Sequence, residues 1–307
     1  MIKTILLTGA TGFVGSHLLK ELLERKHDVV ILKRSSSDLW RIKEFLPQVK
    51  SYDIDKEGIA KPFIENKIDC VIHLGVHYVK FHQTLEDIEK TIDFNVKTAT
   101  LLAELAVKNN VNFFLNTGSF FEYKMQDHPI KEGDELSPYN LYAASKVAFN
   151  EILKFYSANF PLKVIDLKLF APYGEKDQDK VLVFLIKSLL EGKKVDFSGG
   201  EQKWNFTYVR DIVNAYLKAL DYFKNDFQYE SFNIGQNQTH SLSECVEILE
   251  KISGKKLDIN FGAKPYVEKE IFHVNCDNFK AAKMLDFKPA YNLESGLKLM
   301  YYYYKNF

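Results

Sequence analysis

The chain has 307 residues, of which 46% are hydrophobic and 27% are charged, and its 41 lysines and arginines balance 41 aspartates and glutamates. This composition provides enough apolar surface for one large or two closely joined globular domains, and it excludes an intrinsically disordered chain. Because the charges are scattered and balanced, the sequence contains no basic block for binding nucleic acid.

Three cysteines, Cys70, Cys245 and Cys276, form an odd and widely spaced set. We therefore expect neither a disulfide framework nor a cysteine-based zinc site, and a reducing cytosol fits best. The apolar run Ile2–Leu7 is short and ends in glycines, unlike a signal peptide, and no apolar stretch reaches the roughly 20 residues of a membrane span. We predict a cytoplasmic protein with no membrane partner.

The first half of the chain alternates short apolar runs with longer amphipathic segments, which is typical of parallel strands joined by helices. An apolar stripe with spacings of three and four predicts a long helix over 88–106. The candidate strands are Thr4–Leu7, Val29–Leu32, Val49–Asp53, Cys70–Leu74, Val111–Asn116 and Lys163–Leu169. This pattern predicts an α/β fold with a Rossmann-type doubly wound parallel sheet.

After Phe170 the alternation weakens, and glycines and prolines interrupt the chain. Helical periodicity returns at Asp211–Phe223 and Ser243–Ile252, on either side of a strand-like Ser231–Ile234, and Tyr301–Tyr304 is predicted to be the buried face of a last helix. The second half should both complete the sheet and add a smaller C-terminal lobe. The predicted Rossmann-type domain comprises residues 1–169 and about 207–235, and the predicted lobe comprises residues 170–206 and 236–307.

The first candidate strand runs directly into a glycine-rich turn, Thr8–Gly15, that opens an amphipathic segment. In a dinucleotide-binding turn, Gly9 allows the tight turn, Gly12 lets the backbone approach a pyrophosphate, and Gly15 allows close packing of helix on strand. The N-terminus of the helix then faces the anion. The spacing therefore predicts a dinucleotide coenzyme, and Thr11, Phe13 and Val14 between the glycines are assigned to the same site.

At the end of the second strand, a dinucleotide fold usually carries an acidic residue that binds the adenosine ribose. This chain has Lys33, Arg34 and Ser35 there. Two cations and a hydroxyl favour a 2′-phosphate, so NADP(H) is predicted over NAD(H), which stays possible. The alternative is that both cations point into solvent.

Tyr142 and Lys146 are four residues apart in a predicted helix and therefore project from one face. The charge of Lys146, with a cationic nicotinamide ring nearby, would lower the pKa of Tyr142 toward neutrality and make it a usable proton donor and acceptor. Thr117 ends a strand at the edge where open parallel sheets bind ligands. Taken separately, the Tyr-Lys pair could be a helix-surface pair and Thr117 a turn residue.

Together these motifs resemble the extended short-chain dehydrogenases/reductases, the group of nucleotide-sugar epimerases, dehydratases and reductases. The resemblance extends over nearly the whole chain. Further matching stretches are Asp53–Ile54, Asp69–Gly75, Asn95–Val96, Phe170–Gly174, Phe206–Asp211 and Phe232–Gly235.

This resemblance implies that Thr117, Tyr142 and Lys146 are the catalytic residues and that Tyr142 and Lys146 also contact the coenzyme. It implies further coenzyme contacts from Asp53, Ile54, Leu74, Gly75, Val76, Asn95, Asn116 and Phe170. It also implies that the Rossmann-type domain binds the coenzyme, that the lobe binds the substrate, and that helices over 88–106 and 141–156 pack as a four-helix bundle in a homodimer.

Departures from the family pattern narrow the predicted activity. Dehydratases of this group follow the catalytic threonine with an Asp-Glu pair that performs the elimination, whereas this chain has Gly118 and Ser119, so sugar dehydration is not expected. Ala171 stands where many members have asparagine, and Trp204–Phe206 stands where an arginine often holds the nucleotide diphosphate. Lys203 would substitute for that arginine as a point charge without the bidentate fork.

His73, His77 and His82 are closely spaced, but no acidic or cysteine ligand completes a metal set, so we predict no metal. His77 and Tyr78 instead follow a strand end and are predicted to line the sugar pocket. The predicted substrate contacts are His77, Tyr78, Ser119, Phe120, Ala171, Lys203 and Trp204.

The predicted reaction is the NADPH-dependent reduction of the C4 ketone of an NDP-4-keto-6-deoxyhexose, or of its 3,6-dideoxy counterpart, for a surface polysaccharide. The segment Asn116–Phe121 resembles reductases that make CDP-linked paratose and abequose. Tyr142 would protonate the oxygen and Thr117 would hydrogen-bond it. One alternative is a 4-epimerase that retains NAD. Another is a non-catalytic coenzyme-binding redox sensor, against which the intact catalytic residues argue.

Overall fold

The structure is a computed structural model that describes residues 3–178 and 180–306. Residues 1, 2 and 307, at the ends of the predicted domains, lie outside the described part, as does part of the run Ile2–Leu7. The strands are β1 (Thr4–Thr8), β2 (Asp28–Lys33), β3 (Lys50–Asp53), β4 (Cys70–His73), β5 (Phe113–Ser119), β6 (Lys163–Leu169), β7 (Pro172–Tyr173), β8 (Val195–Asp196), β9 (Lys203–Trp204), β10 (Thr207–Tyr208), β11 (Tyr229–Ile234), β12 (His240–Ser241), β13 (Ile259–Asn260) and β14 (His273–Val274).

The helices alternate with these strands in the first half, as the apolar periodicity predicts. They are α1 (Phe13–Glu24), α2 (Ile54–Glu57), α3 (Lys61–Glu65), α4 (Leu85–Ile92), α5 (Ala99–Lys108), α6 (Leu141–Asn159), α7 (Val181–Glu191), α8 (Val209–Tyr222), α9 (Leu242–Ser253), α10 (Phe279–Leu285) and α11 (Leu293–Asn306). Short 3₁₀ segments lie at Lys43–Gln48 and Phe120–Glu122, and a π-helical turn lies at Asp93–Thr98.

The main sheet has the strand order β11-β6-β5-β4-β1-β2-β3, and the neighbouring strands from β3 to β6 pair in parallel. The order reverses between β1 and β4, which is the doubly wound arrangement, and ligands of such sheets bind at the carboxyl ends of the strands at that point. The predicted fold class is therefore confirmed. The predicted strand over 111–116 begins later and extends to Ser119, because β5 continues its register with β6 as far as Leu169.

The long helix predicted over 88–106 is interrupted by the π-helical turn Asp93–Thr98 between α4 and α5. Such turns insert one residue into a helix and often occur at functional sites. Here the turn contains Asn95, whose side-chain amide binds the backbone of His77. Periodicity alone could not reveal it, because the apolar stripe continues through the turn.

The chain divides into two compact units. The first comprises residues 1–124, 132–169 and 213–232, and the second comprises residues 125–131, 170–212 and 233–307. Residues 125–131, 207–212 and 233–235, which the prediction placed in the Rossmann-type domain, therefore group with the second unit. One reason is that β10 pairs with β7, and another is that Asn233 donates its side-chain amide to the Ile130 carbonyl. The functional division between the units stays a prediction.

The core of the first unit is formed by apolar side chains of the sheet and of the helices on its faces. Val71 and Phe114 pack with Ala103 of α5 and Phe149 of α6 on one face. In the second unit, α11 buries Tyr301, whereas Tyr302 is 44% exposed. The tyrosine-rich tail is therefore helical as predicted, but its four residues do not form one buried face. No helix in the described residues is long and apolar enough to cross a membrane.

Candidate active site

The glycine-rich turn between β1 and α1 forms a cradle that side chains would fill. Gly9 has a φ of +72°, and a Cβ added there would lie 2.6 Å from the carbonyl carbon of Leu74. A Cβ on Gly15 would lie 2.0 Å from the carbonyl oxygen of Gly9. No side chain caps α1 at Gly12, and its first turn contains no acidic residue. The residues present therefore fit a dinucleotide whose pyrophosphate meets the N-terminus of α1.

This cradle opens into a pocket of about 760 Å³, including the space at its open mouth. The predicted coenzyme residues in its wall are Gly9, Thr11, Gly12, Lys33, Arg34, Ile54, Leu74, Gly75 and Val76. Wall residues that the sequence did not indicate are Thr8, Leu32, Ser37, Ile59, His73, Phe94, Thr98 and Leu102. Phe94 and Thr98 reach the wall through the π-helical turn.

Other predicted coenzyme residues do not line this pocket. Phe13 and Val14 begin α1, and Asn95 binds the His77 backbone and the Ser145 hydroxyl. The buried Asn116 amide donates to Asp166 at 2.8 Å, and its side chain lies outside the wall of this pocket, so its contact with a coenzyme stays a prediction. Gly15 packs inside the turn, Ser35 is exposed outside the wall, and Phe170 lies buried in the second unit.

The charged side chains beside the pocket are arranged differently from the prediction. Lys33 and Asp53 are neighbours across β2 and β3, and the Lys33 Nζ lies 3.4 Å from an Asp53 carboxylate oxygen. The Ser35 hydroxyl donates to the same oxygen at 2.8 Å. Although burial opposes it, these hydrogen bonds, the Asp55 N–H and the Lys33 charge hold the pKa of Asp53 below its ordinary value. The Arg34 guanidinium instead lies 4.8 Å over the Phe94 ring.

A 2′-phosphate at this point would therefore meet one lysine already paired with a carboxylate. Arg34 lines the pocket and has no ion-pair partner among the described residues. The pairing of Lys33 with Asp53 weakens its predicted contribution to binding a 2′-phosphate. The predicted contact of Arg34 with that phosphate stays a prediction.

The three predicted catalytic residues come together at the end of β5. Lys146 on α6 is 4% exposed and donates to the Thr117 carbonyl at 2.8 Å. Its Nζ lies 6.0 Å from the centre of the Tyr142 ring, on the same helix. Asn140 caps that helix by accepting from the Ala143 N–H. His73, which lines the pocket, pairs with Asn116 across β4 and β5. Thr117 is the next residue of β5, so the three residues lie beside the pocket wall.

The protein groups around Tyr142 shift its pKa in the opposite direction to the shift predicted with a cationic nicotinamide ring nearby. Burial, together with the negative charge of Glu122, raises the pKa of Tyr142 above its ordinary value, so the protein groups by themselves do not lower it. A hydrogen bond with Ser119 opposes this rise. Burial lowers the pKa of Lys146 to about 8, although Glu122 and Asp166 favour its charged form. At neutral pH both groups therefore keep their protons.

A buried ionic network beneath the end of β5 was missed by sequence reasoning. Lys168 pairs with Glu122 and lies 3.2 Å from an Asp166 oxygen, and all three side chains are at most 3% exposed. Glu122 also accepts from the Ser119 N–H at 2.7 Å. A Cβ on Gly118 would lie 2.9 Å from a Glu122 oxygen and 3.0 Å from an Asp166 oxygen. An acidic side chain at position 118 therefore has no space unless these carboxylates move.

A second missed residue is Tyr216 on α8. Its hydroxyl lies 2.5 Å from Thr117 Oγ1, and its side chain is fully buried. Nothing local signals this contact, because Tyr216 occupies an ordinary apolar position of an amphipathic helix 99 residues along the chain.

The predicted substrate residues have varied surroundings. Tyr78 is 52% exposed and packs edge-on against Tyr142 at 4.9 Å, and Ser119 hydrogen-bonds Tyr142. Phe120 is 3% exposed and packs on Phe121, and its contact with a substrate stays a prediction. His77 is held through its backbone by Asn95.

In the second unit, Ala171 has a φ of +27°, a left-handed conformation that asparagine tolerates better than alanine. Lys203 and Trp204 form β9, where the Trp204 indole donates to the Ile271 carbonyl at 3.0 Å. Their roles toward a substrate stay predictions. No group of histidine, cysteine, aspartate and glutamate that could hold a metal ion occurs among the residues that the structure describes.

A family model for the NAD dependent epimerase/dehydratase family matches residues 5–235. CDP-abequose synthase of Salmonella muenchen is 30% identical over 300 residues, which cover 97% of each chain. The dTDP-4-dehydro-6-deoxyglucose reductase of Escherichia coli is 25% identical and covers 95% of each chain. The crystal structure of UDP-glucuronic acid 4-epimerase from Bacillus cereus, with UDP-glucuronic acid and NAD, matches with a TM-score of 0.88 at 27% identity and 99% coverage of both chains.

Proposed function

Because the chain belongs to the NAD dependent epimerase/dehydratase family, whose enzymes act on nucleotide sugars, we propose that it reduces the C4 ketone of a nucleotide-linked deoxyhexose. The predictions of family and of enzymatic activity are confirmed. The observation that carries the reaction type is the meeting of Thr117, Tyr142 and Lys146 beside a dinucleotide-type pocket, with no space for a carboxylate at Gly118. This arrangement supports hydride transfer without elimination. The similarity to CDP-abequose synthase and to the dTDP-4-dehydro-6-deoxyglucose reductase supports the sugar class. A surface-polysaccharide product stays a prediction.

In the proposed reaction, the bound coenzyme supplies the hydride for the C4 carbon. Tyr142 donates its proton to the C4 oxygen, and Thr117 hydrogen-bonds that oxygen. A tyrosine whose pKa is raised is fully protonated at neutral pH, which suits the donor in a reduction. The positive charge of Lys146 stabilises the phenolate that remains until solvent returns a proton. One ketone, one reduced coenzyme and one proton thus give one alcohol and one oxidised coenzyme.

We further propose that the coenzyme is NADP(H), with Arg34 as the cation that contacts the 2′-phosphate. The support is its place in the pocket wall without a carboxylate partner in the described part of the chain. Because Lys33 is paired with Asp53, we expect a preference of roughly tenfold, about what one charge-assisted contact contributes after neighbouring carboxylates oppose it. Replacing Arg34 by alanine should remove that preference.

We propose that the protein is a cytoplasmic homodimer. The exposed side chains of Leu85 on α4, Leu101 on α5 and Phe155 on α6 are apolar, and α6 packs against both other helices. Light scattering should give twice the chain mass, and Leu101→Glu with Phe155→Glu should give one chain mass. The three cysteines are buried free thiols, which fits a reducing compartment.

The second candidate is a 4-epimerase that retains NAD, and the similarity to the Bacillus cereus UDP-glucuronic acid 4-epimerase favours it. The two activities differ in their use of the coenzyme. A reductase releases oxidised coenzyme in every cycle, whereas an epimerase regenerates its coenzyme on the enzyme.

Supplying an NDP-4-keto-6-deoxyhexose with 4-deuterated NADPH distinguishes these candidates. We expect NADPH to be consumed one for one with product and deuterium to appear at C4 of the sugar. Product formed from a 4-hydroxy nucleotide sugar without net change in nicotinamide absorbance would replace the reductase proposal with the epimerase. A protein that binds coenzyme and turns over neither substrate would favour the redox-sensor alternative.

A further inference from the structure

Tyr216 and Thr117 form an isolated pair of hydroxyl groups. Tyr216 Oη lies 2.5 Å from Thr117 Oγ1. Within residues 3–178 and 180–306, each of these side-chain hydroxyls has the other as its one hydrogen-bond partner. The Thr117 backbone is held separately, because its carbonyl accepts from Lys146. The Tyr216 hydroxyl therefore acts on the Thr117 side chain alone.

The chemistry of the two groups decides which of them donates. A phenol is more acidic than an aliphatic alcohol and is the better donor, whereas a threonine hydroxyl offers two acceptor positions besides its one proton. Burial and the nearby Asp166 charge raise the pKa of Tyr216, so it keeps its proton. When Tyr216 donates to Thr117 Oγ1, the Thr117 proton is left for another acceptor.

We propose that Tyr216 is a positioning residue that donates to Thr117 Oγ1 and so directs the Thr117 proton toward the carbonyl oxygen of the substrate. The inference rests on the proposed function, because it takes Thr117 as a hydrogen-bond donor to that oxygen. A donor aligned before the reaction begins needs no reorientation when negative charge develops on the oxygen.

Tyr216→Phe tests this role because it removes the hydroxyl and keeps the buried ring. We expect kcat to fall about tenfold, while KM for the sugar and the Kd for the coenzyme stay within twofold of wild type. The matched control is Tyr229→Phe, which removes a hydroxyl that donates to Asn150 at 2.7 Å in the same unit. The control should keep the wild-type kcat.

The decisive measurement repeats Tyr216→Phe in a Thr117→Val background, where no hydroxyl is left to direct. Here Tyr216→Phe should have no further effect on kcat. An equal loss in both backgrounds, or no loss in the wild-type background, would overturn the positioning role. If Thr117→Val alone keeps the full kcat, Thr117 does not act in catalysis. That result would overturn the proposed role of Thr117, and with it the positioning role, without any measurement on Tyr216.

A stability cycle keeps the inference testable if a variant loses activity by poor folding. Thr117→Val leaves the buried Tyr216 hydroxyl without its partner, whereas the double variant removes both groups. The double variant should therefore melt at a higher temperature than Thr117→Val. A lower melting temperature for the double variant would show that the two hydroxyls are not coupled and would overturn the inference.

Discussion

Two cationic regions of the first unit hold their lysines in different ways. Beside the mouth of the pocket, Lys33 pairs with Asp53 while its side chain is still 20% exposed. Beneath the end of β5, Lys168 pairs with Glu122 and is almost completely buried. Lys146 is also buried, and no carboxylate of residues 3–178 and 180–306 forms an ion pair with it. In the proposed function, the Lys33–Asp53 pair would influence which coenzyme anion binds, whereas Lys146 holds the backbone of Thr117 by donating to its carbonyl.

The physical reason for this difference is solvent screening. The Lys33–Asp53 pair keeps some contact with solvent, at 20% and 10% side-chain exposure, so its charges are partly screened. A fully buried charge must instead be paired or must shift its pKa. Lys168 is paired and its pKa is raised, while the pKa of Lys146 falls to about 8. We therefore expect substitutions in the two regions to act on different properties of the protein.

The largest effect is expected from Tyr142→Phe, which removes the proton donor of the buried group. Turnover should fall by about 10²- to 10⁴-fold, the usual contribution of a general acid, with coenzyme affinity unchanged. Steady-state kinetics and calorimetry of coenzyme binding measure the two quantities. Tyr156→Phe is the control, because that tyrosine lies on the same helix and donates to Glu104. A variant that retained more than about a tenth of the wild-type rate would contradict the donor role.

Glu122→Gln tests the buried ion pair. Removing the charge of Glu122 leaves the buried Lys168 with Asp166 as its remaining carboxylate partner, and the free energy of unfolding should fall by about 1.5–3 kcal/mol, the usual contribution of a hydrogen bond to a charged group. The matched control is Glu135→Gln, which breaks the exposed 2.7 Å pair with Lys124 and should cost less than about 1 kcal/mol. Urea unfolding measures both, and similar losses in the two variants would remove the distinction between buried and exposed pairs.

The pH dependence of turnover follows from Lys146. Its ammonium group is present below its pKa of about 8 and is lost as the pH rises through that value. We therefore expect kcat to decline about tenfold per pH unit on the alkaline side. In Lys146→Arg the cation persists, so the decline should move above about pH 10 even if the maximal rate is lower. If kcat declined at the same alkaline pH in the wild type and in Lys146→Arg, the decline would be due to the titration of another group.

The smallest effect is expected at the Lys33–Asp53 ion pair beside the pocket. Asp53→Asn releases Lys33 and removes a negative charge that a 2′-phosphate would face. The ratio of NADP(H) to NAD(H) affinity should rise by up to about tenfold, and high salt should reduce the gain. Calorimetric titration with both coenzymes measures it. Asp55→Asn is a useful control, because its carboxylate binds the Ser35 N–H and makes no contact with Lys33. Equal ratios in wild type and Asp53→Asn would mean that Lys33 never contacts the phosphate.

The local sequence pattern was sufficient to predict the sheet, the glycine-rich turn and the placement of Tyr142 and Lys146 on one helix. The alternating apolar runs predicted the parallel sheet, because each buried strand and each amphipathic helix carries its own period. The glycine spacing predicted the turn before α1, where Gly9 has the positive φ that the tight turn requires. The spacing of Tyr142 and Lys146 placed them on one helical face, and the structure brings both to Thr117.

Only the tertiary structure decided how the charges and hydroxyls are paired. Lys33 meets Asp53 because β2 and β3 are neighbours in register, and Lys168 meets Glu122 because β6 lies beside β5. Tyr216 reaches Thr117 from a helix 99 residues away. These partners are distant in sequence, and no local pattern indicates them. The sequence around a charged residue is the same whether the fold pairs that residue in the interior or leaves it in water. The pKa values of Tyr142 and Lys146 depend on that burial, so the sequence alone could predict these candidate residues but not their protonation.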